Sequence, residues 1–173
     1  MSPGLSALEV KDTKLKGVKL ISPPSFFEDF RGDYVETYNR DMFQAAGIKV
    51  DFKQDDYSTS RKHVLRGLHG DDRTWKLVKC IYGTLYFVVA NNDETSDQYL
   101  QWESFTITSQ NRLQVLVPPK FGNGFLVMSE EAVFGYKQST YYHEISQFSL
   151  KWNDPRLNIW WPISDPIRST RDF

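Results

Sequence analysis

A single cysteine, Cys80, excludes any disulfide framework within the chain, which suits a reducing cytosol. It lies in the apolar run Leu77-Val78-Lys79-Cys80-Ile81-Tyr82, where it reads as a packed thiol. Net charge is scarce too. Against 21 basic residues stand 22 acidic ones, so neither nucleic acid nor an anionic membrane has a general electrostatic footprint. Residues 1–16 lack a long apolar core and contain Glu9, Lys11, Asp12, Lys14 and Lys16. That pattern excludes a signal peptide or membrane span, predicts a loose N-terminal arm over 1–16, and makes a cytoplasmic location the expectation. The three histidines, His63, His69 and His143, occupy separate segments without His-x-His spacing, so no metal site is expected. A Gly-rich dinucleotide fingerprint is missing, and no cofactor is expected. Repeats, low-complexity tracts, interdomain linkers and helix-period patterns are equally sparse.

What remains is a chain of 173 residues, 40% hydrophobic and 15% aromatic, enough for one domain with a substantial core. Candidate strands fall at 17–21, 33–38, 50–57, 75–82, 84–90, 99–108, 113–117 and 132–139, separated by turn signals such as Gly83, Asn91-Asn92-Asp93 and Asn111. Strands at this spacing predict an all-β sandwich or jelly roll of antiparallel strands over 17–173. Two short helical stretches complete it: 41–46, with Asn39 as cap and Gly47 as stop, and a turn around 143–147.

Arg66-Gly67-Leu68-His69 closes one run and Trp75-Lys76-Leu77-Val78 opens the next, so Arg, His and Lys flank one short polar turn. The His can exchange a proton near neutral pH, the Lys can neutralise an oxyanion, and the Arg can hold a phosphate. On its own, such a His is more often a hydrogen-bonded surface group. Alternation puts Ala132, Phe134 and Tyr136 on one face. The Tyr136 hydroxyl therefore needs a partner, either a backbone carbonyl or a ligand in a cavity. Arg31-Gly32 and Arg66-Gly67 are two Arg-Gly turns, either solvated or presenting guanidinium groups to a diphosphate. Gln54 to Ser60 reads as a polar strand end, and Pro118-Pro119-Lys120-Phe121-Gly122-Asn123-Gly124-Phe125 as a turn. Trp152-Asn153-Asp154-Pro155, Trp160-Trp161-Pro162 and Ser169-Thr170-Arg171-Asp172 follow in a tail unusual for a bare scaffold.

Taken in order, these fragments resemble the nucleotide-diphosphate 4-keto-sugar 3,5-epimerases, the RmlC-like branch of the cupin jelly rolls, from about Gly17 to Asp172. The resemblance rests on the Arg-Gly turn, Gln-Asp-x-x-Ser-x-Ser, Val-Leu-Arg-Gly-Leu-His, Lys-Leu-Val, Phe-Leu-Val-Met-Ser, Tyr-Lys-x-Ser-x-Tyr-Tyr, Trp-Asn-Asp-Pro and Ser-x-x-Asp. It implies a cupin-type fold and an isomerase of bacterial surface-polysaccharide sugar biosynthesis, inverting C3, C5 or both of a 4-keto sugar. His69 stands at the family's base, Asp172 at the carboxylate orienting it through the other ring nitrogen, Lys76 at the lysine facing the C4 oxygen, and Tyr136 at the acid on the opposite face. Arg31 and Arg66 match diphosphate contacts, and Gln54 and Ser60 a segment lining the sugar and phosphate region. A homodimer is implied, because the nucleotide site in that family is completed by a second subunit.

The pattern also departs from the family. The loop from His69 to Lys76 is short, Asp71 replaces a Gln, Asn123 replaces a second active-site His, and Asn91-Asn92-Asp93 replaces an Asp-x-Arg stretch. Both dTDP-linked 4-keto-6-deoxyhexoses and GDP-linked 4-keto heptoses of capsule synthesis remain as substrates. Trp75, Tyr141 and Tyr142 are candidates to stack on base or sugar, or to pack in the core. Asp172 is the penultimate residue, so its role requires an ordered tail. The alternatives are a sugar 3,4-ketoisomerase and a catalytically inactive sugar-nucleotide-binding cupin.

Overall fold

Alternation along the strands sorts the apolar residues into three buried layers. The computed structural model describes residues 8–23, 25–143 and 146–172. In chain order the elements are β1 (Glu9–Asp12), β2 (Lys19–Ser22), β3 (Ser25–Asp29), β4 (Gly32–Glu36), α1 (Arg40–Ala45), β5 (Gln54–Arg61), β6 (Leu65–Gly70), β7 (Lys76–Tyr82), β8 (Thr84–Asn91), β9 (Trp102–Thr108), β10 (Gln114–Val117), β11 (Phe121–Val127), β12 (Glu131–Gln138), β13 (Phe148–Ser149) and a 3₁₀ turn at Thr170–Asp172. A six-stranded sheet, β1-β2-β10-β7-β12-β5, faces a five-stranded sheet, β13-β6-β11-β8-β9, and β3-β4 forms a separate ribbon. The strand pairs are antiparallel, giving the jelly roll expected from the strand spacing.

Inward residues of both sheets, among them Val78, Phe87, Val115, Phe125 and Phe134, form the central layer. Leu77 and Leu116, one step out of phase, point the other way and meet Phe43 of α1. Val88 and Ala90 leave the opposite sheet and are covered by Leu157 and Trp161 of the C-terminal segment. Period-two patterning thus serves three layers, and β8, covered on both faces, reads as a near-continuous apolar run. Cys80 belongs to the central layer; its Sγ donates to the carbonyls of Tyr82 and Gly83, and burial pushes the thiol up to about 11.

Helix α1 starts where the sequence places it. Asn39 Oδ1 accepts from Met42 N at 3.3 Å, and Gly47 follows the last turn with φ 86°. Within the stretch expected to be a loose arm, residues 9–12 instead form β1, because Val10 and Leu8 pack on the outer cluster while the strand pairs with β2. The turn expected at 143–147 includes residues 144 and 145, which lie outside the described residues. No helix among the described residues is long and apolar enough to cross a membrane.

The turn expected over 118–125 is corrected. Chain reversal is finished by Lys120, at φ 68°, and β11 runs buried along its length between β6 and β8. Pairing on both edges overrides the Asn-Gly turn preference. The glycines serve close backbone approach instead: a Cβ on Gly124 would lie 2.7 Å from the Arg66 carbonyl oxygen and 3.0 Å from Gly67 Cα. Gly124→Ala is therefore expected to cost about 1–3 kcal/mol by forcing β6 and β11 apart. A lower urea midpoint with unchanged slope is the result that checks it.

Candidate active site

His69 lies near the end of β6, flanked by Asn123 of β11 on one side and Ser149 of β13 on the other. Its Nε2 is 2.7 Å from Asp172 Oδ1, and its Nδ1 is 2.8 Å from Ser149 Oγ. Asp172 is buried in the 3₁₀ turn, where its Oδ1 also accepts from Gly67 N at 3.1 Å and its Oδ2 from Ser169 Oγ at 2.7 Å. The tail is thus ordered up to this carboxylate. Burial alone would raise the Asp172 carboxyl, but the hydrogen bonds from Ser169, Gly67 and His69 outweigh it and hold the group below the ordinary carboxylate value.

An ionised Asp172 can only accept, so His69 Nε2 carries the ring proton and Nδ1 keeps the lone pair, to which the Ser149 hydroxyl donates. Burial lowers the His69 pKa, opposed by the Asp172 hydrogen bond. The ring is neutral at neutral pH, the state in which it can accept a proton.

Two further chemically active groups come from the facing sheet. Lys76 opens β7, and Tyr136 projects from β12 on the same face as Ala132 and Phe134. The Lys76 ammonium sits 6.0 Å from the centre of the Tyr136 ring. Burial lowers the Lys76 pKa, while the Asp71 carboxylate pulls it back up. Burial and then the charge of Asp56 push the Tyr136 phenol up to about 12, so it stays protonated.

Together with Arg66, Asn123 and Asp172, these three side chains line a cavity of about 250 Å³, walled on its apolar side by Phe125 and Phe134. Arg66 is steadied by Ser60, whose Oγ accepts from Nε at 2.9 Å. Asn123 Nδ2 donates to the His69 carbonyl at 3.0 Å, so it fixes the backbone at His69. Arg66, Lys76 and Arg171 outnumber Asp172 around the cavity, which suits an anionic ligand and an oxyanion.

Other residues singled out from sequence stand apart from this cavity. Gln54 has both ends of its amide engaged: Nε2 donates to Asp56 Oδ2 at 2.7 Å and Oε1 accepts from Tyr142 N at 2.9 Å. Tyr142 is exposed, its hydroxyl accepting from Arg171 at 3.3 Å. Arg31 sits at the turn of the β3-β4 ribbon, paired with Asp29 at 2.5 Å. Conversely, Arg171, Ser149 and Asp56 were not singled out. Arg171 had a signal, being adjacent to Asp172 in the tail motif; Ser149 carries none.

Comparison with known proteins followed the same lines. The sequence profile of the dTDP-4-dehydrorhamnose 3,5-epimerase family matches residues 12–173. The dTDP-4-dehydrorhamnose 3,5-epimerase of Salmonella typhimurium is 39% identical over 158 residues, covering 88% of this chain and 86% of its own. Among solved structures, dTDP-6-deoxy-D-glucose-3,5-epimerase of Legionella pneumophila, in complex with dTDP-4-keto-L-rhamnose, superposes with a TM-score of 0.90 at 33% identity, covering 95% of this chain and 89% of its own. The Bacillus anthracis dTDP-4-dehydrorhamnose 3,5-epimerase with TDP and pyrophosphate bound gives 0.91 at 32% identity, with 96% and 97% covered.

The electrostatics of His69 can be checked directly. Its imidazole should titrate below the ordinary histidine value. Since Asp172 raises that pKa against burial, Asp172→Asn should move the midpoint still lower, as followed by the ring proton resonances in NMR. A midpoint that rises in the variant would refute the assigned polarity of the pair.

Proposed function

The chain belongs to the dTDP-4-dehydrorhamnose 3,5-epimerase family and is an isomerase; from that premise we propose that it inverts C3 and C5 of a dTDP-linked 4-keto-6-deoxyhexose. The observation that carries this reading is the convergence of His69, Lys76 and Tyr136, from β6, β7 and β12, on one cationic cavity.

A proton beside a ketone is weakly acidic, so its removal needs a base at carbon and a positive charge at the oxygen. His69 Nδ1 takes the proton once the Ser149 hydroxyl turns away, and Asp172 stabilises the resulting imidazolium through Nε2. The Lys76 ammonium stabilises the enolate oxygen at C4. Tyr136 then delivers its proton to carbon from the opposite face, inverting the centre. His69 returns its proton to solvent and Tyr136 recovers one, so each inversion exchanges one hydrogen with water. Arg66 and Arg171 hold the diphosphate. The dTDP-linked substrates and ligands of the relatives favour dTDP over a GDP-linked heptose.

The β3-β4 ribbon supports a homodimer. Phe26, Phe27 and Tyr34 lie exposed along it, and Phe30 beside Arg31 is 98% exposed at its turn. The Arg112 guanidinium covers the Phe26 ring at 3.8 Å, but Phe30 and Tyr34 stay open, and a two-stranded ribbon with open aromatic side chains is marginal alone. Packed on a second copy, it would carry Arg31 to the partner's cavity and add a third guanidinium to the diphosphate.

Incubation with a dTDP-4-keto-6-deoxyhexose in D₂O should place one deuteron at each of C3 and C5, as located by NMR. Uptake at one carbon only would restrict the activity to that centre, and uptake only with GDP-linked sugars would reverse the base assignment. His69→Asn should lose about 10²- to 10⁴-fold in turnover, and Tyr136→Phe a similar factor in inversion, with dTDP still bound. Full activity in either variant refutes its role. Arg31→Ala should raise KM about tenfold with kcat retained, as expected for one charge-assisted phosphate contact; an unchanged KM removes Arg31 from the site.

A further inference from the structure

Asp56 stands directly opposite Tyr136 where β5 pairs with β12. Alternation puts it on the same face of β5 as Ser60, which steadies Arg66. The carboxylate is itself held: Gln54 Nε2 donates to Oδ2, and Gln54 Oε1 accepts from Tyr142 N, so one amide ties the carboxylate to the loop after β12. That double engagement accounts for Gln54 lying off the cavity wall. The groups facing the phenol are Asp56 from β5, Tyr142 from that loop, Lys76 from β7 and Arg171 from the 3₁₀ turn. Of these, Asp56 is the carboxylate.

We propose that Asp56 is a positioning residue for Tyr136: held by Gln54, it keeps the phenol oriented as a proton donor and drives the tyrosinate formed at each inversion to take up a proton from solvent. This inference rests on Tyr136 being the donor. In each inversion the O–H bond of Tyr136 breaks as a C–H bond forms on the enolate, leaving a phenolate beside a carboxylate. Two like charges in a partly buried pocket are unfavourable. The phenolate therefore recaptures a proton from water, His69 releases the one it removed, and the site is reset. Burial, with the Asp56 charge added to it, pushes the phenol up to about 12, in the direction that recapture of the proton requires.

Misplacing the donor has a characteristic result. His69 still removes the substrate proton but returns a solvent proton to the same face, giving exchange without inversion. Asp56→Asn, nearly isosteric, should therefore raise the ratio of deuterated but uninverted sugar to inverted product at least about tenfold in D₂O. It should also lower the ionisation midpoint of Tyr136 by about one pH unit, read from tyrosinate absorbance against a matching Tyr136→Phe background. A wild-type ratio together with an unmoved midpoint would overturn the inference. Tyr136→Phe separates the two levels: exchange without inversion upholds Tyr136 as donor whatever Asp56→Asn does, whereas inversion at the wild-type rate overturns both.

Discussion

A carboxylate removed from water must have its oxygens met by donors, and the donors that meet Asp172 come from two places in the chain. Gly67 N and His69 Nε2 belong to β6, and Ser169 Oγ to the tail. Taking the carboxylate away would leave a backbone N–H and a ring N–H facing each other without acceptors. The C-terminal segment is therefore attached at both ends of its path: Leu157 and Trp161 cover the outer face of the five-stranded sheet, and Asp172 closes on the inner side of β6. Folding of the tail and fixing of the His69 ring are the same event.

Burial then shifts the imidazole and the phenol in opposite directions. The partly enclosed site lowers the pKa of His69 and raises that of Tyr136, so a neutral imidazole and a neutral phenol coexist across one cavity. The Asp172 hydrogen bond tempers the first shift, and the Asp56 charge adds to the second. Lys76 is different: burial works against its charge, and Asp71 opposes that effect from a turn in which its own carboxylate accepts from the backbone N–H groups of Arg73 and Thr74. The short loop after β6 thus has an electrostatic function, although its carboxylate stands where the resemblance led to expectation of a Gln.

Much of the architecture was legible because strands covered on one or both faces leave period-two or continuous apolar patterns, as in β7, β8 and β12, and because Asn39 and Gly47 bracket α1. What escaped was set by tertiary pairing. β11 contains Gly122 and the pair Asn123-Gly124, a turn signal in isolation, yet Gly124 admits the β6 backbone and Gly122 lies against the Leu150 side chain. β1 is four residues long and mostly charged, and only Val10 hints at its buried edge. In the site, residues carried by motif order, His69, Lys76, Tyr136, Arg66, Asn123 and Asp172, were brought together around one cavity. Arg31 was not: it pairs with Asp29 at the turn of its ribbon and does not line that cavity. Gln54 and Ser60 bond to Asp56 and Arg66 rather than line the cavity, a relation that needs the register of β5 against its neighbours. Ser149 had no motif, and only the short pairing of β13 with β6 places it on His69.

The lone thiol has a practical side. Cys80 is neutral at physiological pH, packed in the central layer and bonded to two carbonyls, so alkylating reagents meet no thiolate on the native protein. The wild-type sequence is thus a silent background for site-directed labelling. A Phe30→Cys substitution at the fully exposed turn of the ribbon would introduce one addressable handle, and a fluorophore there would report the ribbon's surroundings without any other cysteine having to be removed.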